Sequence, residues 1–120
     1  MFKKILLCVG IITATSVMFH GNVDGKEELC GIENCHGVDI ACGSNIPNNC
    51  NFMYDLGDFC RQYARCEMID GSCQFIKNET FDLCKSCVEQ CAQRFKQDPT
   101  EAFNCESQCR EEIEGNKETP

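Results

Sequence analysis

The sequence has no tryptophan, only three prolines, and few basic residues: 11 Lys and Arg stand against 19 Asp and Glu, a formal net charge of −8. Each shortage excludes something. Phosphate backbones and anionic membrane surfaces are bound through clustered Lys and Arg, so a polyanion-binding role is disfavoured. Large apolar side chains are thinly spread beyond the N-terminus, which leaves little material for a broad hydrophobic core or a large substrate pocket. Past that N-terminal stretch there is no second apolar run of membrane length. Internal repeats and low-complexity tracts are also lacking.

What is present instead is cysteine, 13 in 120 residues. A fraction above one tenth in so short a chain marks a disulfide scaffold made in an oxidising compartment. Residues 1–25 read as a secretory signal peptide. Lys3 and Lys4 form the basic start, an apolar stretch runs from Ile5 to Phe19, and small residues follow at Gly21 and Gly25. Cleavage is expected after Gly25, with Gly21 as the competing site. Cys8 leaves with this segment, and the remaining twelve cysteines are the even number that complete pairing requires. The expectation is a secreted, extracellular protein with six disulfides, each stabilising it by about 2–4 kcal/mol.

The remainder divides by texture. Residues 26–76 form a cysteine-rich module of Gly-, Asn- and Asp-rich loops, and residues 77–120 form a helix-compatible segment ending in a charged tail. The hydrophilic junction Lys77-Asn78-Glu79-Thr80 carries an N-glycosylation acceptor at Asn78. In the second segment Cys84, Cys87 and Cys91 step by three and four, the spacing of one helix face, continued by Phe95. Asp98-Pro99-Thr100-Glu101 reads as a second helix start, with Asp98 as cap and Pro99 at the first helical position. Ala102, Cys105, Cys109 and Ile113 repeat the same stepping, and Gly115 is the expected stop. On antiparallel helices this spacing places Cys91 opposite Cys105 and Cys87 opposite Cys109, which predicts both bridges.

In the first segment, residues 58–66 read as a short helix capped by Asp58. Asp70-Gly71 between apolar-containing flanks predicts a β-hairpin. The fold class is therefore small, disulfide-rich α+β: an irregular knot with a short helix and a hairpin, followed by an antiparallel α-helical hairpin.

Taken in order, Cys42-Gly43-Ser44-Asn45, Tyr54, Cys60, Ala64, Cys66 and Gly71-Ser72-Cys73 resemble the features of a Kazal-type protease inhibitor domain, over about residues 30–73. The resemblance implies the pairs Cys30–Cys66, Cys35–Cys60 and Cys42–Cys73, leaving Cys50 and Cys84 to each other. It also implies an outward-projecting reactive loop after Cys35, with His36, Gly37, Val38 and Asp39 as contact residues and Gly37 at the primary specificity position. A glycine fills no pocket, so only enzymes with small primary pockets, of the elastase kind, would suit that loop.

Other chemistries are weaker readings of the same residues. A structural zinc site wants four ligands in compact pairs, and Cys84-x-x-Cys87 is the one pair with that spacing. A thiol oxidoreductase would place that pair in an α/β context that is missing here. His36 is the one histidine after residue 25, with no nucleophile marked beside it. Alternating oxygen ligands for calcium do not occur in any loop. The expectation is accordingly a non-enzymatic binding protein without metal or cofactor, directed at an extracellular protein partner. A serine-protease-inhibitor-like module is one reading, a toxin or signalling effector acting on a receptor or ion channel is another, and a structural or storage protein is the third.

Overall fold

The computed structural model describes residues 28–117. The expected signal segment, with both cleavage points, and residues 118–120 lie outside the described residues. Seven short elements follow in order: β1 (Gly31–Ile32), β2 (Cys42–Gly43), a 3-10 helix (Asp58–Tyr63), β3 (Cys66–Ile69), β4 (Ser72–Phe75), α1 (Glu79–Arg94) and α2 (Pro99–Gly115). The mixed α+β class expected from the sequence is the observed one.

Local chemistry accounts for most of the boundaries. Asp70 and Gly71 have φ of 50° and 79°, the two left-handed residues that a tight hairpin between right-twisted strands requires. They join β3 to β4 in antiparallel register, Cys66 opposite Phe75 and Met68 opposite Cys73. Asn78 caps α1, its side-chain oxygen accepting from the Phe81 amide at 3.0 Å. Asp98 caps α2 in the same way, accepting from the Glu101 amide at 3.1 Å, with Pro99 in the first turn. Two boundaries differ from expectation. Gly115 continues α2 and the cap falls on Asn116. The short helix is of the 3-10 type, and its cap is Gly57, with φ of 93°. Asp58 does not cap it because its carboxylate is taken by the amides of Gly37 and Asp55 and by His36.

The core is small and made largely of sulfur. Phe59, Cys60, Phe81, Cys84, Val88, Cys91 and Cys109 form the buried cluster, with Val38, Ile40, Leu56 and Phe75 among those packed against it. Both texture segments contribute: the 3-10 helix presses Phe59 and Cys60 onto the face of α1 that carries Phe81, Cys84 and Val88.

Six disulfides close the described chain, with Cα separations from 5.4 to 5.9 Å. Cys87–Cys109 and Cys91–Cys105 staple α1 to α2 as the spacing predicts. The four pairs implied by the family resemblance or left by it are not formed. Cys30–Cys66 and Cys42–Cys73 are replaced by Cys30–Cys73 and Cys42–Cys66. Strand register permits the exchange, and the packing of one ribbon on the other selects it. In the β1–β2 ribbon Gly31 faces Gly43 and Ile32 faces Cys42, so Cys30 and Cys42 sit two register steps apart. Cys73 and Cys66 have the same two-step offset in the β3–β4 ribbon, which either pairing would meet, and the way the ribbons pack joins Cys30 to Cys73 and Cys42 to Cys66. Cys35–Cys60 and Cys50–Cys84 are replaced by Cys35–Cys50 and Cys60–Cys84. Cys60 meets Cys84 because the 3-10 helix packs directly on α1, where both are fully buried; Cys35 and Cys50 are left to close a surface loop.

Candidate binding tip

Of the expected contact residues, His36, Gly37 and Val38 are folded down onto the body and Asp39 is exposed. The Asn34 side chain acts as the hub of their loop: its amide donates to the carbonyls of His36 and Asp39 at 3.1 and 2.7 Å, and its oxygen accepts from Ala41 at 3.0 Å. Arg61 donates to the carbonyls of Gly37, at 2.8 Å, and Asn34. Val38 packs on the core beside Gly57, where an added Cβ would collide with Val38 and crowd Val88. Asp39 is exposed but pairs with Lys85 of α1 at 2.9 Å. Asn34, Asp58 and Arg61 thus hold the backbone of this segment against the protein, while the Asp39 side chain and the Cα face of Gly37 remain open to solvent.

The segment that does project is the next one. No charged residue stands between Asp39 and Asp55, in a chain where a quarter of residues are charged. Within that stretch Phe52 is fully exposed, and Ile46, Met53 and Tyr54 are exposed as well. Both flanks of Phe52 and Met53 are anchored. On the N-terminal side, Cys50 is bridged to Cys35, and the Asn51 side-chain oxygen meets His36 Nε2 at 2.7 Å and the Met53 amide at 3.2 Å. On the C-terminal side, the Tyr54 hydroxyl donates to Glu106 of α2 at 2.8 Å and accepts from Arg110 at 3.2 Å and from the Phe59 amide at 3.3 Å. The Tyr54 ring lies 6.1 Å from that of Phe103.

Electrostatics sharpen both anchors. Burial, reinforced by the bond to Glu106, pushes the Tyr54 hydroxyl up to about 12. Glu106, only 4% exposed, accepts from the Tyr54 hydroxyl and from the Gly57 amide at 2.6 Å. At the other anchor, the bond to Asp58 raises the His36 pKa above its ordinary 6.5 despite partial burial. Burial alone would raise the Asp58 carboxyl, yet the amides of Asp55 and Gly37 together with His36 hold it below the usual value.

Sequence reasoning missed Glu106 and the Phe52–Met53 tip. A signal for Glu106 exists, since Ala102, Glu106, Cys109 and Ile113 also step by four, three and four. A carboxylate on such a stripe implies buried donors. For the tip, the charge-free run is the only trace, because exposure of a phenylalanine has no local sequence code. Every cysteine from Cys30 to Cys109 lies in a disulfide, and among the described residues no group of three His, Cys, Asp or Glu is placed to hold a metal ion.

No family model, curated protein or solved structure matches this chain. It is a small protein closed by six disulfides, and no helix among its described residues is long and apolar enough to cross a membrane.

Proposed function

We propose that this chain is a secreted, non-enzymatic binding module of the protease-inhibitor kind, and that Phe52 and Met53 make the target contact in place of residues 36–39. The observation that carries the reading is Phe52, fully exposed in a tip held on either side by Asn51 and Tyr54. An apolar ring held in water gains nothing within the monomer, and it becomes an anchor when it enters a pocket. The Cys35–Cys50 bridge, the Asn51–His36 bond and the Tyr54–Glu106 bond order the loop before binding, which lowers the entropic cost of association. The partner implied is a protein with an uncharged, aromatic-accepting slot, the specificity pocket of a chymotrypsin-like enzyme. The Asn78 acceptor fits a glycosylated secretory product, because the cap uses the side-chain oxygen and not the nitrogen that carries a glycan.

Titration of chymotrypsin-, trypsin- and elastase-like proteases with the oxidised secreted protein tests this. Chymotrypsin-like enzymes are expected to be inhibited, and Phe52→Ala to weaken inhibition by about ten- to a hundredfold, the worth of a buried aromatic side chain. Inhibition of none of them removes the inhibitor reading and leaves the receptor- or channel-directed effector.

A further inference from the structure

Proton counting at His36 leads beyond the binding reading. Its two ring nitrogens face Asp58 Oδ2 and Asn51 Oδ1, each at 2.7 Å. Both partners are acceptors. The Asp58 carboxylate already takes the amides of Asp55 at 3.0 Å and Gly37 at 2.6 Å. The Asn51 atom is fixed as oxygen because the Met53 amide donates to it. A neutral imidazole has one N–H, so only the imidazolium satisfies both contacts. The charges around the ring are Asp58 and Asp55 on one side and, from the 3-10 helix, the Arg61 guanidinium bound to the loop carbonyls of Asn34 and Gly37. Farther along the loop, Lys85 of α1 is neutralised by Asp39.

We propose that His36, in its imidazolium form, is the positioning residue of the tip, tying Asn51 to Asp58 across the loop, so that target binding through Phe52 and Met53 strengthens on acidification. Loss of one proton leaves a single N–H for two acceptors. Asp58 retains two amides without it, whereas Asn51 loses the contact that joins it to the body. Asn51 in turn receives the Met53 amide, with Phe52 between them, so the tip loosens when His36 is neutral. The sign follows from the raised histidine. The ordering is complete below the ordinary value of about 6.5 and is lost as pH rises through the elevated one. This inference rests on the tip being the binding element, but the device itself lies within the chain.

The test uses the oxidised secreted protein, followed by NMR between about pH 5 and pH 9, the range over which histidine titrates. The His36 ring and the Asn51 and Met53 amides are expected to share one midpoint above the ordinary histidine value. His36→Gln should abolish the response at Met53, and Asn51→Ala should uncouple Met53 while His36 still titrates. A Met53 amide that ignores pH in the wild type, or follows it equally in His36→Gln, overturns the proposal. With chymotrypsin as probe, the wild type should lose about two- to tenfold in affinity relative to His36→Gln across that range, the worth of one hydrogen bond. Taking the ratio to the variant cancels the protease's own titration. Absence of chymotrypsin binding at every pH counts against the tip as a protease anchor, and the NMR result still decides the His36 device.

Discussion

A carboxylate buried as deeply as Glu106 persists only where donors surround it. Here they are the Tyr54 hydroxyl and the Gly57 amide, so one side chain of α2 fixes both the tip and the start of the 3-10 helix. Glu106→Ala is expected to cost about 2–4 kcal/mol in denaturant unfolding, since it strands a buried amide as well as deleting charged hydrogen bonds. Glu106→Gln, which keeps an acceptor, should cost less. Tyr54 reports the same contact by ultraviolet titration. Its ionisation near 12 should fall back toward 10 in Glu106→Ala. Because that value is raised by folding, the stability linked to Tyr54 is complete below about pH 10 and fades as pH climbs toward 12. Gly37 supplies a different residue-scale expectation. Its φ is 85° and its amide is held by Asp58, so Gly37→Lys should cost about 1 kcal/mol of backbone strain. No trypsin inhibition should be gained, because Asp58 and Arg61 occupy the Gly37 amide and carbonyl that a protease would need to engage.

The two helices stop and start where their side chains can replace missing backbone partners. Asp98→Ala is expected to destabilise the protein by about 1 kcal/mol, a common value for a lost cap, read as a lowered denaturation midpoint. At Asn78 cap and glycan acceptor coincide, and two variants separate them. Thr80→Ala removes the acceptor sequence but keeps the cap, so, relative to wild type made in a glycosylating host, the proposed glycan mass should be lost at nearly unchanged stability. Asn78→Ala should lose both. The hairpin β3–β4 depends on the left-handed pair Asp70 and Gly71, and its register sets the two-step spacing of Cys66 and Cys73 that matches Cys30 and Cys42.

Across the whole molecule, disulfides do what a large apolar core does elsewhere. Four of the seven residues of the buried cluster are half-cystines. The bridges therefore differ in what they contribute. Cys60–Cys84 is fully buried and joins the first segment to α1, so replacing both cysteines by Ala removes a cross-link and leaves a cavity. The expected loss is about 3–5 kcal/mol. Cys35–Cys50 closes a shorter surface loop, and its double Ala variant should keep the folded core, losing nearer the lower end of the usual 2–4 kcal/mol. Its larger effect should fall on the proposed target binding, through the tip. Denaturant melts of the two variants beside a binding titration separate these outcomes.

Periodicity and capping made the helical hairpin legible in advance. Cys87, Cys91, Cys105 and Cys109 repeat at the helical spacing, and Asp98-Pro99 marks the turn, so geometry left one sensible pairing. Asp70-Gly71 announced the second hairpin for an equally local reason, since few dipeptides accept two left-handed residues. The first segment lacked such periodicity. Which of Cys30, Cys35, Cys42, Cys50, Cys60, Cys66, Cys73 and Cys84 meet depends on how two ribbons stack and on the 3-10 helix docking on α1. Those contacts join residues far apart in the chain, and no local pattern encodes them. The same physics moved the proposed binding element. The residues after Cys35 had the look of a presented loop, but Asn34, Asp58 and Arg61 satisfy its backbone and Val38 finds the core. Amino-acid order alone determined a stapled, acidic, cysteine-built scaffold. Long-range packing decided that Phe52 and Met53 stand in solvent while the side chains of His36 and Val38 turn onto the body, because exposure is set by what the rest of the fold leaves uncovered.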